Sequence, residues 1–186
     1  MAHDERVTLP SFPDLISFPA LEHPDLVAAP VAAALAAWPG AADVAVVDID
    51  PDLADTAAMS EAYDIAMTAG GNCVVVSGTR AGEERIAACV VRADTRADVN
   101  TLVRKMLDVR KASFLPMQRA VAETGMEYGG ITPLGLPGGW RILVDDRLLE
   151  EPVVVIGSGV RRSKLLVPGR LLAGLPRAEV VADLGR

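Results

Sequence analysis

Apolar residues in this chain fall in short, nearly unbroken runs separated by turn-formers, at 44–49, 73–76, 86–91, 142–144, 153–156 and 164–167. Those at 73–76 and 86–91 are continuous, as suits strands covered on both faces. Residues 111–115 and 179–181 are read as two further strands. Gly78-Thr79-Arg80-Ala81-Gly82 between the second and third runs predicts a hairpin loop. The period changes at Val99, Leu102, Val103 and Met106, whose i, i+3, i+4, i+7 spacing predicts an amphipathic helix. Asp94 or Thr95 is placed to cap it. Other helices are expected over 31–38, over 52–63 with Leu53, Ala57 and Met59 inward, and over 168–175. One more is opened by Pro116 and closed by Gly125. Interleaved strands and helices without an internal repeat predict an α/β fold in a single domain. Six prolines before position 40 prevent a long helix ahead of Val31. Residues 1–40 therefore read as a proline- and alanine-rich arm or edge addition, and 41–186 as the domain.

Composition narrows the core and the compartment. Residues are 51% apolar but only 4% aromatic, so the interior must be built from Val, Leu, Ala and Ile. No apolar run approaches the ~18 residues that span a membrane, and the N-terminus lacks a secretory pattern. Cys73 and Cys89 sit in apolar runs and read as reduced, buried thiols of a cytoplasmic protein. The net charge of −7 is uneven: residues 1–64 carry 12 acids against Arg6 alone, and the remainder carries 17 bases against 13 acids. Arg104, Lys105, Arg110, Lys111 and Arg119 form one basic group, and Arg161, Arg162, Lys164 and Arg170 another. These are either two solvated faces or a small positive footprint for the end of an RNA, where phosphate contacts position without specifying. DNA and membrane are not expected partners.

The common catalytic sets are missing. His3 and His23 both lie in the arm, too far from any nucleophile unless the arm folds across the domain. Two distant His and two strand Cys match no metal spacing, and no metal or other cofactor is expected. Gly157-x-Gly159 lacks the third glycine of a dinucleotide fingerprint, and Ser163-Lys164 lacks the glycines of a phosphate loop. Asp145-Asp146 and Glu150-Glu151 read as a solvated acidic loop rather than paired catalytic carboxylates. A hydrolase using Ser158 would have no base.

Two glycine turns remain. Glu127-Tyr128-Gly129-Gly130-Ile131-Thr132-Pro133-Leu134-Gly135 allows close backbone approach through its glycines and then fixes the chain at proline. Gly157-Ser158-Gly159 follows directly on an apolar strand. With the apolar strand at 73–76, these segments resemble the YbaK/EbsC family of aminoacyl-tRNA editing domains, related to the prolyl-tRNA synthetase editing domain. That family carries a loop of the form Gly-Gly-(Val/Ile)-(Ser/Thr)-Pro-(Phe/Leu)-Gly, matched by residues 129–135. The resemblance covers roughly residues 44–183 and says little about the arm.

The resemblance implies a curled, nearly barrel-like mixed sheet with helices outside. It also implies a trans-acting deacylase that hydrolyses the ester of mischarged tRNA, with the neighbouring ribose hydroxyl assisting. Gly129, Gly130, Ile131, Thr132 and Pro133 would hold the aminoacyl group. Gly157, Ser158 and Gly159 would contact the carbonyl or the terminal adenosine. Arg161, Arg162 and Lys164 would touch the acceptor end. The family commonly has lysine where this chain has Asn72, which would contact ribose or phosphate without charge. It also often has an acid where this chain reads Lys164. These departures keep open a non-catalytic module that binds an aminoacyl-adenosine-like ligand or a protein partner. The apolar arm could also serve a homodimer.

Overall fold

The apolar runs become nine strands among the described residues, which are Phe12 and residues 15–186 of this computed structural model; His3 lies outside them. In chain order they are β1 (Ser17–Pro19), β2 (Ala45–Asp48), β3 (Gly71–Arg80), β4 (Glu83–Arg92), β5 (Ala112–Phe114), β6 (Arg141–Asp145), β7 (Val154–Gly157), β8 (Ser163–Val167) and β9 (Ala178–Val181). The helices are α1 (Ala29–Ala37), α2 (Thr56–Tyr63), α3 (Arg104–Met106) and α4 (Met117–Thr124), with several 3-10 turns between elements.

The mixed α/β fold is present, but its strands do not close into a barrel. They form a four-stranded antiparallel sheet in the order β1-β2-β8-β7 and a five-stranded mixed sheet in the order β5-β3-β4-β6-β9. In the second sheet β4, β6 and β9 run parallel, while β3 runs antiparallel to both β4 and β5. The sheets meet at one seam, where Gly70, just before β3, bridges Val155 in β7. Gly71 lies so close to β7 that a Cβ there would stand 2.9 Å from the Ile156 side chain.

Strand alternation divides the apolar residues among three clusters, because successive side chains leave a strand on opposite faces. Val46, Val75, Val90, Val144, Ile156 and Leu165 point into the main core between the sheets, with Val31 and Leu35 of α1. Ala45, Val47, Val155 and Leu166 face the other way, against Met59 of α2 and Ile65. Val76, Cys89, Val91 and Leu143 meet Val99, Val103 and Leu107 beyond the second sheet. The central strands are thus covered on both faces, while the edge strands β5 and β9 leave Phe114 and Val180 exposed. Cys73 packs on the main core and Cys89 on the outer cluster, so opposite faces of one hairpin keep the two thiols free. Burial pushes the Cys89 thiol up to about 12.

Several elements differ in detail from expectation. The helix expected over 52–63 is broken, because Asp55 caps α2 by accepting from the N–H groups of Ala57 and Ala58. Met59 then faces inward while Ala57 is exposed. The helix at Val99 begins as a π-turn over Val99–Val103 and is capped by Asp98, which accepts from Thr101 N–H, rather than by Asp94 or Thr95. The hairpin loop shrinks to Ala81 and Gly82, both at positive φ, as a tight type I′ connection requires.

The acidic loop is not a solvated one throughout. Asp145 is fully buried, accepting from the backbone and guanidinium of Arg147 and, at 2.7 Å, from Gly185 N–H. It fastens the C-terminal segment to β6. Burial alone would raise its pKa, but Arg147 and the two backbone N–H groups outweigh that and hold it below the ordinary 3.8. A depressed carboxyl contributes stability above its unfolded pKa and loses it as pH falls through the folded value. Asp145→Asn should therefore cost about 1.5–3 kcal/mol at neutral pH in denaturant unfolding. The gap between variant and wild type should narrow as pH falls below 3.8.

Candidate functional site

The two glycine turns lie against each other at the seam between the sheets. Gly125, at φ 66°, ends α4, and the chain then runs to Gly129 at φ 83°, a conformation that strains any residue with a Cβ. Gly159 N–H donates to Gly130 C=O at 2.7 Å, and Glu127 N–H donates to Gly159 C=O at 2.8 Å. The Glu127 carboxylate accepts from Arg161 N–H at 2.6 Å. A Cβ on Gly157 would stand 2.4 Å from Gly130 O, and one on Gly130 would stand 2.8 Å from the Val160 backbone. Backbone approach this close is possible only with glycine on both sides.

Beside this contact opens a cavity of about 680 Å³. Of the residues marked out in the sequence, Asn72, Gly129, Ile131, Gly157, Arg161 and Lys164 line it. Gly129 and Ile131 make no hydrogen bond through their N–H groups among the described residues. Asn72 Oδ1 accepts from Thr56 Oγ1 at 2.7 Å, which leaves its NH2 as the group free to donate. The remaining wall is largely apolar, with Met59, Val75, Leu115 and Val155 among its residues.

Of the other marked residues, all but Arg162 are buried outside the cavity lining. Ser158 is fully buried, with its hydroxyl donating to Ser163 C=O at 2.9 Å and accepting from Ser163 Oγ at 2.8 Å. Gly130, Thr132, Pro133 and Gly159 are buried, and Thr132 Oγ1 has no hydrogen-bond partner. Arg162 is exposed and donates to Asp25 C=O.

Lys164 is not an open surface contact. It is only 5% exposed, and its ammonium donates to Ala54 C=O at 2.7 Å. Burial lowers its pKa below the ordinary 10.5, Arg161 lowers it further, and Asp55 opposes them. Arg161 likewise donates to a backbone carbonyl, that of Pro51, at 2.9 Å. Among the described residues, none of Arg161, Arg162 and Lys164 forms an ion pair, so their charge stays available. In the other basic group Arg119 is held by Glu84 and Glu123, and none of its five residues lines the cavity. A lysine is thus in the cavity although position 72 lacks one, supplied by β8 rather than by β3.

Sequence reading missed the cavity's rim. Phe114, Met117 and Tyr128 line it while remaining 62%, 52% and 62% exposed. Periodicity marks buried faces but carries no signal for apolar residues left uncovered.

Residues 50–175 match the sequence profile of a family described as aminoacyl-tRNA editing domain. The fold is similar to that of a candidate trans-editing enzyme for prolyl-tRNA synthetase, at TM-score 0.71 and 20% identity, covering 85% of this chain and 96% of that one. It is equally similar to a scaffold used in computational epitope grafting, at TM-score 0.72 and 21% identity, covering 86% and 97%. A hypothetical protein matches at TM-score 0.67 and 20% identity over 76% and 90%. At these identities the likenesses concern fold alone. No curated protein matches the chain in sequence.

The buried ammonium yields a test of its own. A lysine whose folded pKa is depressed binds fewer protons when folded, so stability rises with pH toward the unfolded value. At neutral pH its charge is therefore a cost to the fold. Lys164→Met, which keeps the stem, should leave the melting temperature at pH 7 unchanged or raised in calorimetry. A clear drop would mean that the ammonium's bond to Ala54 outweighs its desolvation.

Proposed function

Because the chain belongs to the aminoacyl-tRNA editing domain family, we propose that it hydrolyses the ester of a mischarged tRNA as a free-standing domain, with the substrate's ribose hydroxyl assisting. The observation that carries this reading is the pair of unpartnered N–H groups, Gly129 and Ile131, on the wall of a cavity that also holds a buried cation. An aminoacyl ester is already activated, so the protein needs orientation and donors aimed where charge develops, more than a nucleophile of its own. Water attacks the carbonyl carbon. The carbonyl oxygen gains negative charge against the N–H groups of the Gly129–Ile131 turn. The ester C–O bond then breaks, the proton given up by the water passes to the departing ribose oxygen, and the amino acid and the ribose hydroxyl are released. The neighbouring ribose hydroxyl orients the water.

Asn72 NH2 contacts the ribose or a phosphate oxygen, and Lys164 with Arg161 supplies the charge that position 72 lacks. Gly130, Thr132, Pro133, Ser158 and Gly159 act from behind, holding the two turns in register. The apolar wall formed by Met59, Val75, Leu115 and Val155 receives an uncharged amino-acid side chain. Discrimination there rests on differences of a methylene, about 1–3 kcal/mol. The amide at position 72 favours a second reading, a module that binds an aminoacyl-adenosine-like ligand without turning it over.

The test is release of labelled amino acid from a panel of correctly and incorrectly charged tRNAs. Wild type should deacylate a subset selectively. Gly157→Ala, whose Cβ would collide with Gly130 O at 2.4 Å, should lower kcat/KM by about 100-fold or more through the displaced donors. No release above the uncatalysed rate across the panel would refute hydrolysis. Binding of a non-hydrolysable aminoacyl-adenosine would then support the second reading.

A further inference from the structure

A second cavity, of about 470 Å³, adjoins the first and is lined by Pro51, Glu127, Tyr128, Arg161 and Arg162. Tyr128 and Arg161 belong to both walls. Single exposed aromatics are ordinary on protein surfaces, and Tyr128 would mean little by its exposure alone. Its position is the informative part. It stands between two cavities, its ring makes no aromatic contact among the described residues, and two arginines border it. Those arginines donate to the backbone carbonyls of Pro51 and Asp25, not to carboxylates. The one acid in the wall, Glu127, is turned onto Arg161 N–H. A free π-face next to uncompensated guanidinium groups complements a chain that alternates flat bases with phosphates. Such a chain must be single-stranded there, because bases inside a duplex have no open face.

We infer that the second cavity is a nucleotide subsite in which Tyr128 stacks on the unpaired base that precedes the esterified adenosine, while Arg161 and Arg162 meet the intervening phosphate. This rests on the editing reading for the direction of the strand. Gly129 is part of the arrangement: a Cβ there would stand 3.0 Å from an Arg161 guanidinium nitrogen, so glycine lets that group lie over the turn and across the boundary between the cavities. The subsite would give the protein grip on the end of an RNA without a contact to its body, consistent with a chain whose net charge is −7.

The experiment is an NMR titration of the full chain to millimolar ligand, with the single-stranded trinucleotide CCA and with adenosine monophosphate, using wild type, Tyr128→Ala, Tyr128→Leu and Tyr128→Phe. Tyr128 is exposed, so unchanged melting temperatures should confirm that the variants fold. Stacking predicts that wild type binds the trinucleotide more tightly than the monophosphate. It also predicts that Ala and Leu weaken trinucleotide binding about tenfold while Phe preserves it. Affinity for adenosine monophosphate should be the same in all four proteins. Equal trinucleotide binding by wild type and Tyr128→Ala, or no advantage of trinucleotide over monophosphate, overturns the subsite. No step requires hydrolysis, so a protein that stacks the trinucleotide but releases no amino acid would refute the editing chemistry and leave the subsite standing.

Discussion

The site depends on one backbone contact, the donation of Gly159 N–H to Gly130 C=O at 2.7 Å. The turns it joins come from different parts of the fold, one following α4 and the other linking β7 to β8. Positive φ at Gly129 and Gly159, and the absent Cβ atoms at Gly130 and Gly157, let two backbones approach more closely than side chains would permit. The contact consumes the Gly130 carbonyl and the Gly159 amide, while Gly129 and Ile131, two residues of the cavity wall, keep N–H groups without a partner among the described residues. A packed interior does not deform continuously, so an added methyl at this contact shifts the donors as a unit.

Charge is arranged around the same contact. Described residues of the acidic first third lie beside the second glycine turn, Ala28 N–H donating to Ser158 C=O, yet they meet Arg161, Arg162 and Lys164 through carbonyl oxygens. Pro51, Ala54 and Asp25 accept from Arg161, Lys164 and Arg162. Carbonyl acceptors hold a cation in place without neutralising it, as a carboxylate would. The positive potential therefore survives at the cavity although the chain as a whole is acidic. Lys164 is the extreme case, a cation kept under apolar cover at a cost to the fold.

Much of this was legible in the sequence. Apolar runs located the central strands because those are covered on both faces, and Pro116 and Gly125 bracketed α4 because their backbone preferences suit helix ends. The two glycine turns stood out for the same local reason. What could not be read was set by contacts distant in sequence. Asp145 appears among acids in a loop, but Gly185 and Arg147 make it a buried anchor. Lys164 appears among surface arginines, but Ala54 and the β8 register draw it inward. The seam between the two sheets includes the Gly70–Val155 bridge, a pairing 85 positions apart that no local pattern encodes. The rim formed by Phe114, Met117 and Tyr128 depends on what fails to cover it.

The central claim is that the Gly129–Ile131 turn and Lys164 enclose the reacting carbonyl. A crystal structure with an adenosine carrying an amino acid through a 3′-amide in place of the ester tests it most directly. The account predicts the amide carbonyl oxygen within about 3 Å of Gly129 or Ile131 N–H. It also places the amino-acid side chain against Met59, Val75, Leu115 and Val155, and the ribose beside Asn72. A ligand bound elsewhere, or one whose carbonyl faces away from the turn toward solvent, would contradict it.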